Sequence, residues 1–280
     1  MDGQPNNEIR PSWVRHAPGE PALSGVNWGG LKTLYIKEVR RFFKVHMQTI
    51  WAPAITTLLY LAIFTVALGR GGRTILGVPF ADFLAPGLIV MAMIQNAFAN
   101  ASFSLLVGKI QGTIVDYLMP PLSTGELIAG LVGAAVTRAF FVGGAVWLVM
   151  LLWPGVSVKV GHPLWALWFG LMGSLMLSFL GLLTSIWAEK FDHAAAVTNF
   201  VVTPLSLLSG TFYAVDQLAP AFQAASHANP FFYVISGFRF GFLGESDSPI
   251  ILGALLLLVL NIALWAGCYA LLKSGWKIKN

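Results

Sequence analysis

The chain has 280 residues, of which 56% are hydrophobic and 10% are charged, and its mean hydropathy is +0.73. Soluble domains carry about 25% charged residues, so this composition excludes a soluble protein and indicates an integral membrane protein. The net charge of +5 agrees with basic loops lying against anionic inner-leaflet lipid, and it gives no reason to expect a nucleic-acid partner.

A helix needs about 20 apolar residues to cross a hydrocarbon core, and six segments of the sequence meet this requirement. We place them at 49–69, 83–107, 128–153, 164–188, 194–213 and 250–272. Lys and Arg concentrate in the segments that face the cytosol if the N-terminus lies inside. The sequence therefore predicts an all-α integral membrane protein with six transmembrane helices and both termini in the cytosol.

The N-terminal part divides into a tail and a helix. Residues 1–25 are polar with four prolines, which is typical of a disordered cytoplasmic tail and does not resemble a signal peptide. Residues 26–48 predict an amphipathic helix in the inner interface, either a basic anchor beside lipid or a lever attached to a cytoplasmic partner. Its apolar face is Leu31, Tyr35, Val39 and Phe42, and its basic face is Lys37, Arg40, Arg41 and Lys44. The six-span domain follows at 49–273, and 274–280 form a second cytoplasmic tail.

Two predicted spans carry polar stripes. In span two, Asn96, Asn100 and Ser104 are spaced four apart and share one helix face. In span five, Asn199, Thr203, Ser206 and Gly210 are also predicted to share a face, with Pro204 midway. Polar residues at membrane depth face a bundle interior or a cavity. They either form interhelical hydrogen bonds, worth about 0.6 kcal/mol each, or line a transport path.

A basic residue, Arg138, lies inside the third span, where an unpaired cation costs at least about 2.5 kcal/mol. It must reach the interface or find a partner. We expect Glu189 or Asp192, in the loop after span four, to supply that partner in a structural tie. A role in substrate binding is the alternative.

The loop between spans two and three is not a simple linker. Ile114, Leu118 and Met119 suit one apolar helix face, Pro120-Pro121 ends that helix, and Ser123 with Glu126 matches a capping box that opens the next one. This predicts a short helix, a sharp stop and a new helix on the cytoplasmic side. Such a segment is either a docking surface or a structured loop without a partner.

The segment 198–239 begins as a span and then breaks at Ser209-Gly210. Residues 219–228 and 230–243 each suit a helix too short to cross. Asn229-Pro230 supplies an N-cap followed by proline at the first helical position. Irregular backbone at membrane depth must be buried in protein or line a wet cavity. We therefore expect two short re-entrant helices that form an outer gate.

This same segment carries a family resemblance. It reads TPLSLLSGTFYAVDQLAPAFQAASHANPFFYVISGFR, which resembles the signature of the ABC-2 family of ABC-transporter permeases. The matching residues are Pro204, Leu208-Ser209-Gly210, Phe212, Leu218 to Pro220, Asn229-Pro230 and Arg239, and in the inner loop Leu118, Pro120 and Gly130. Two positions depart from the pattern: Val115 replaces a frequent Glu, and Ala214 replaces a frequent Pro.

The resemblance implies a homodimer in a bacterial inner membrane that exports its substrate. Spans two and five would line the path, through Asn96, Asn100, Ser104, Asn199, Thr203, Ser206 and Phe212. A cytoplasmic coupling helix between spans two and three would contact a separate ABC ATPase, present in two copies, through Asp116, Tyr117, Leu118, Pro120, Pro121 and Glu126. The outer gate would comprise Gly210, Pro220, Asn229, Pro230 and Arg239.

The motifs that the sequence contains and lacks limit its possible functions. It has no G-x-x-x-x-G-K-[ST] loop, so we expect ATP and Mg²⁺ to be bound by the partner subunit and no cofactor or metal in this chain. The expected function is the permease subunit of an ATP-driven exporter of a lipid-like, glycolipid or hydrophobic drug substrate. The alternatives are an ion-gradient-driven secondary transporter and, ranked last, a membrane enzyme. Carboxylates inside the spans would favour the first alternative, and a catalytic cluster would favour the second.

Overall fold

The protein was analysed as a computed structural model, which describes residues 25–69 and 74–277. These residues form a helical bundle with one small β-hairpin. The helices are α1 Trp28–Phe43, α2 Ala52–Leu68, α3 Phe80–Ile110, α4 Val115–Leu118, α5 Thr124–Leu151, α6 Pro163–Trp187, α7 Phe191–Val197, α8 Thr203–Leu207, α9 Pro220–Ala228, α10 Pro230–Leu243 and α11 Ile250–Ser274. The hairpin pairs β1 Thr74–Ile75 with β2 Val78–Pro79. The predicted tail 1–25, apart from Gly25, and the end of the tail 274–280 lie outside the described residues.

Five helices of the described chain are long and apolar enough to cross a membrane. They are Met47–Ala67, Phe80–Ile110, Thr124–Leu151, Pro163–Trp187 and Ile250–Ser274. The segment predicted at 194–213 is absent from this set, because its helix begins at Phe191 and already ends at Leu207. Gly210 has φ +74°, a left-handed conformation that glycine adopts without strain. The chain turns away there instead of continuing the helix.

This shorter helix nevertheless runs along α3 from one end of the bundle towards the other. The rings of Phe191 and Phe103 are 5.8 Å apart. Near its other end, a Cβ at Gly87 would lie 3.2 Å from the carbonyl oxygen of Thr211. Phe103 and Gly87 are both in α3, separated by about 24 Å at the helical rise of 1.5 Å per residue. The segment from Phe191 to Thr211 thus covers most of the distance across a hydrocarbon core.

Two π turns interrupt the helices, and each is followed by a proline. Met47–Trp51 precedes Pro53, and Thr198–Val202 precedes Pro204. Proline lacks an N–H and its ring clashes with the carbonyl four residues earlier. Widening the preceding turn to an i→i+5 pattern relieves that clash and keeps the helix continuous. Spans one and five therefore share a local distortion that the sequence-based prediction did not include.

The centre of the bundle is α3, which is buried along most of its length and packs against α6. The two backbones approach closely at Gly181, where a Cβ would lie only 2.6 Å from the carbonyl oxygen of Phe98. Ser174 and Ser178 on α6 are fully buried. Small residues let two helix backbones approach closely in a membrane, so α3 and α6 form the rigid part on which the functional residues are mounted.

Long-range hydrogen bonds identify the two ends of the bundle. Lys109 Nζ donates to the carbonyls of Ser185, Ile186 and Ala188, and Lys277 Nζ lies 2.7 Å from Glu189 Oε1. These contacts gather the end of α3, the loop after α6 and the C-terminal end of α11 at one end, which we call the inner end. The opposite, outer end is marked by the bond from the Ser157 N–H to Asp82 Oδ1.

Both short helices predicted after the break are present, as α9 and α10. Asn229 Oδ1 accepts a hydrogen bond from the N–H of Phe231, and α10 begins at Pro230. The predicted N-cap is thereby confirmed. The described fold agrees with the predicted all-α class except for the two-residue strands of the hairpin, which lie in the loop between the first two predicted spans.

Candidate functional site

The inner end contains a buried carboxylate that sequence reasoning missed. Glu38 of α1 is fully buried and lies on the face that also buries Leu34 and Phe42. These three residues are spaced four apart, so they stack on one side of the helix. The helix therefore buries an acid among apolar residues and packs beside α5.

Glu38 is satisfied by three side chains. Tyr117 donates its hydroxyl to Oε1 at 3.0 Å, Ser104 donates to Oε2 at 3.0 Å, and Arg41 Nη2 lies 2.8 Å from Oε2. Hydrogen bonds to an ionised group are short and strong, and a buried carboxylate is tolerated only when such partners are present. Glu38 thus connects three elements: α1, α3 and the short helix α4.

Arg41 extends this network along α3. Its Nη2 donates to the carbonyl oxygen of Asn100 at 3.0 Å, to Asn100 Oδ1 at 3.3 Å and to Ser104 Oγ at 2.9 Å. Two of the three residues in the predicted stripe of span two therefore bond to α1. We call Glu38, Arg41, Asn100, Ser104 and Tyr117 the inner network.

Tyr117 brings the predicted coupling segment into the inner network. Its side chain is buried, and Lys37 Nζ lies 3.8 Å from the centre of its ring. Burial raises the pKa of Tyr117 well above its ordinary value, and the neighbouring charge of Glu38 adds to this shift. The hydroxyl stays protonated and donates to Glu38 at any physiological pH.

A second attachment joins the coupling segment to the start of α1. The N–H of Asn27 donates to Glu126 Oε1 at 2.6 Å, and Asn27 Nδ2 donates to the carbonyl of Pro121 at 3.2 Å. Glu126 and Ser123 form the predicted capping box, which is confirmed. In contrast, the residues at the tip are exposed: Asp116, Leu118, Met119, Pro120 and Pro121. The segment is thus fixed to α1 on one side and open on the other.

The third polar residue of the stripe, Asn96, makes a different contact. Its Oδ1 accepts a hydrogen bond from Arg138 Nη2 at 2.8 Å. The expected partners of Arg138 were wrong, because Glu189 lies at the inner end and pairs with Lys277, and Asp192 is exposed beside it. Arg138 is in the middle of α5, and the nearest polar group there is on the adjacent α3.

The predicted stripe of span five does not share one face. Asn199 is exposed, Thr203 is half-buried and Ser206 is fully buried. The cause is the π turn Thr198–Val202, which changes the number of residues per turn, so positions counted on a regular helix lose their alignment. Gly210 lies beyond the end of the helix.

The outer end holds an ion pair in which both side chains are buried. Arg239 is fully buried, and its Nη1 lies 2.9 Å from Asp247 Oδ2. Its Nη2 donates to the carbonyl of Gly210 at 2.8 Å, and its Nε donates to that of Phe83 at 3.3 Å. One guanidinium group therefore ties α10 to the start of α3 and to the turn that ends span five.

Asn229 adds another connection at the outer end. Its Nδ2 donates to the carbonyl of Leu205 at 2.8 Å and to Ser209 Oγ at 2.9 Å. Gly210, Asn229 and Arg239 of the predicted gate therefore meet at the turn after α8. Of the other predicted gate residues, Pro230 begins α10, and Pro220 is exposed at the start of α9. Phe212, which was predicted for the path, packs on Phe64 of α2 with the ring centres 4.4 Å apart.

Several residues that organise these sites were not predicted from sequence. They are Asn27, Glu38, Arg41, Lys109 and Asp247. A signal existed for Glu38, since it falls between Leu34 and Phe42 at four-residue spacing. No comparable pattern marks Asp247, whose partner is eight residues earlier in the chain.

The apolar helices and the buried polar contacts between them define a multi-pass membrane protein. The profile of the ABC-2 type transporter family matches residues 30–243. The chain belongs to this family of permease subunits, whose members work with an ABC ATPase.

The chain is similar to several named bacterial proteins. It is 37% identical over 253 residues to the inner membrane transport permease YadH of Escherichia coli K12, which covers 90% of this chain and 98% of that protein. It is 25% identical over 228 residues to nodulation protein J of Rhizobium leguminosarum bv. viciae, covering 79% and 84%. It is 24% identical over 267 residues to nodulation protein J of Rhizobium meliloti 1021, covering 92% and 93%. The chain is accordingly a transport permease subunit of the inner membrane.

Proposed function

We propose that this chain is the membrane subunit of an ATP-driven exporter of an amphipathic substrate. Two copies form the path, each crossing the membrane six times with both termini in the cytosol. Two copies of a separate ATPase bind ATP and Mg²⁺ and dock on the exposed tip of the coupling segment, which comprises Asp116, Leu118, Pro120 and Pro121. The function of the chain is then to convert ATPase movement into movement of its spans.

The observation that carries this proposal is the bond between Tyr117 and Glu38, 3.0 Å long and buried. Tyr117 lies beside an exposed tip, whereas Glu38 lies on α1 and bonds to Ser104 of α3. A force on the tip can reach both α1 and α3 through this carboxylate. A loop without a partner does not need such a connection to the centre of the bundle.

The coupling segment and α1 move as one body in this proposal. Asn27 bonds to Glu126 and Pro121 at one end of α1, and Tyr117 bonds to Glu38 further along it. Because α1 leads directly into the π turn and α2, its displacement changes the position of span one relative to span two. That displacement opens or closes the substrate path on the inner side.

The outer gate is the set of contacts around the turn at Gly210. Arg239 and Asn229 hold α10 against this turn with charge-assisted and neutral hydrogen bonds. The path residues proposed from span five are Asn199, Thr203 and Ser206, which precede the turn, and Phe212, which follows it. Release of these contacts lets substrate leave on the outer side.

ATP hydrolysis by the purified chain and by its complex tests the proposal. We expect no ATPase activity from the chain alone, and ATP-dependent movement of lipid between leaflets when the ABC ATPase that co-purifies with it is added in proteoliposomes. The control is the same complex with an ATPase variant that binds but does not hydrolyse ATP. Transport driven by an ion gradient without ATP would contradict the proposal.

A further inference from the structure

A lysine at the inner end contacts the connection that leads into span five. Lys109 stands in the last turn of α3, and its Nζ donates to the carbonyl oxygens of Ser185 at 3.2 Å, Ile186 at 2.7 Å and Ala188 at 2.6 Å. An ammonium group has three N–H donors and no acceptor. All three donors of Lys109 are therefore used on the backbone carbonyls of one short stretch.

Two of these carbonyls belong to a helix end, but the third does not. Ser185 and Ile186 lie in the last turn of α6, whose final carbonyls have no partner within the helix and favour a nearby cation. Ala188 follows the helix in an extended conformation and is fully buried in a cluster with Leu106 of α3. The shortest contact of Lys109 thus holds the connection itself and not only the end of α6.

The connection held in this way positions the start of span five. Glu189 and Lys190 separate Ala188 from Phe191, where α7 begins. The ring of Phe191 lies 5.8 Å from that of Phe103 in α3. Span five therefore starts from a point that is fixed to the last two turns of α3.

The same end of α3 leads into the coupling segment. Residues 110–112 separate Lys109 from Thr113, whose N–H donates to the carbonyl oxygen of Gly108 at 2.8 Å. A Cβ at Gly108 would lie 3.3 Å from the ring of Tyr117, so the coupling segment folds back against the turn of α3 that carries Lys109. Lys109 is thus bonded to the start of span five and adjoins the segment on which the ATPase is proposed to dock.

A second contact to the same connection is more exposed. Lys277 Nζ and Glu189 Oε1 join it to the end of α11, and both side chains are accessible to solvent. Exposed ion pairs are screened by water and contribute little to stability. The hydrogen bonds of Lys109 are partly buried and reach carbonyls that the backbone fixes in place. Of these two contacts, that of Lys109 is the one suited to transmit movement.

We propose that Lys109 is a positioning residue for transport, which fixes the start of span five to α3 so that both helices move together when the ATPase displaces the coupling segment. This inference rests on the proposed export function and deepens it. The inner network reaches α1 and α3, whereas none of its members lies in span five. Lys109 supplies the connection from the coupling segment to the second helix of the proposed path.

Reconstituted complexes of the chain with its ABC ATPase test this role. The ratio of lipid moved between leaflets to ATP hydrolysed is measured with a phosphatidylethanolamine labelled on its head group as the probe. Lys109→Met removes the charge and its donors, and we expect the ratio to fall about tenfold while hydrolysis continues. Lys109→Arg keeps a cation with N–H donors and should restore most of the ratio. Lys277→Met, which removes the exposed contact to the same connection, is the matched control and should leave the ratio unchanged.

Hydrogen exchange of the purified chain, without the ATPase, tests the contact independently of transport. We expect the backbone amides of 188–197 to exchange faster in Lys109→Met than in the wild type, because loss of the contact lets this segment open locally. The amides of α10, at the outer end, should not change.

An unchanged ratio in Lys109→Met, even with faster exchange at 188–197, would overturn the proposal and leave Lys109 as a cap of α6. A fall of the same size in Lys109→Arg or in Lys277→Met would also overturn it. If Lys109→Met does not fold, as judged by thermal unfolding, Lys109→Gln also lacks the charge and gives the same comparison. A wild-type complex without ATP-dependent transport would refute the export function, and the exchange experiment would then decide alone whether Lys109 holds the start of span five.

Discussion

At the scale of residues, two ion pairs with buried carboxylates fix the two ends of the bundle. Glu38 and Arg41 bond α1 to α3 at the inner end, and Arg239 and Asp247 bond α10 to α3 and to the turn after α8 at the outer end. Desolvation of such charges is offset only when each has several partners. Because burying these charges in an apolar chain is costly, we infer that the two ion pairs fix the positions of the helices.

Sequence reasoning found one member of each set but missed its partner. Tyr117 and Arg239 lie in segments that resemble a family signature, which drew attention to them. Glu38 lies within the helix predicted at 26–48, but it was given no role there. Only the packing of α1 against α5 and the position of Ser104 show that it is buried.

The Arg239 pair leads to a prediction on stability. Arg239→Met leaves the carboxylate of Asp247 buried without its cation, which we expect to destabilise the protein by about 3–5 kcal/mol. Thermal unfolding in detergent measures this change as a lower midpoint. The double variant Arg239→Met with Asp247→Leu removes both charges and should recover part of the loss. A double variant no more stable than the single one would contradict the assignment of Asp247 as the main partner.

At the scale of elements, hydropathy identified five of the six predicted spans, capping motifs were reliable, and helical phase was not. The capping box at Ser123 and the N-cap at Asn229 were predicted and are confirmed, because each depends on residues only a few positions apart. The stripe of span five failed because a π turn before Pro204 changes the phase of the helix. A proline in a span should therefore be treated as a point where the phase of the helix can change.

Asn229 caps α10 through its side-chain oxygen and bonds to the turn after α8 through its side-chain nitrogen. Substitutions can separate these two contributions. Asn229→Ser keeps an acceptor that can cap α10 but loses the amide donors to Leu205 and Ser209, whereas Asn229→Ala loses both. We expect Ala to cost about 0.5–2 kcal/mol more than Ser, measured by thermal unfolding. Thr33→Ala, which removes an exposed side-chain bond within α1, is the control and should change the midpoint little. Equal effects of Ser and Ala at Asn229 would refute the capping contribution.

At the scale of the whole molecule, the helix that begins at Phe191 is too short to count as a membrane span. It nevertheless runs along α3 from the inner end towards the outer end. The helix from Phe191 to Leu207 starts beside the loop at the inner end and stops near Arg239 at the outer end. Hydropathy alone gave a longer span, since it cannot detect that Gly210 turns the chain. The six crossings that we propose would bring α1 and the end of α11 to the same side.

Cysteine labelling tests this topology, because native Cys268 is buried. We expect Ala225→Cys in α9 to react with an impermeant maleimide added outside intact cells, and Asp192→Cys and Thr113→Cys to react only after the membrane is opened. All three positions are exposed. Outside labelling at Asp192 would contradict a sixth crossing by α7 and α8.

The most direct test of the account is the ratio of substrate moved to ATP hydrolysed in reconstituted complexes carrying Tyr117→Phe. This variant keeps the buried ring and removes only the hydroxyl that reaches Glu38. A hydrogen bond to a charged group contributes about 1.5–3 kcal/mol, so we predict that the ratio falls about tenfold or more while ATP hydrolysis continues. Tyr35→Phe, which removes a hydroxyl of α1 bonded to Thr137 at 2.7 Å, should leave the ratio unchanged. An unchanged ratio in Tyr117→Phe, or an equal fall in Tyr35→Phe, would contradict coupling through the inner network.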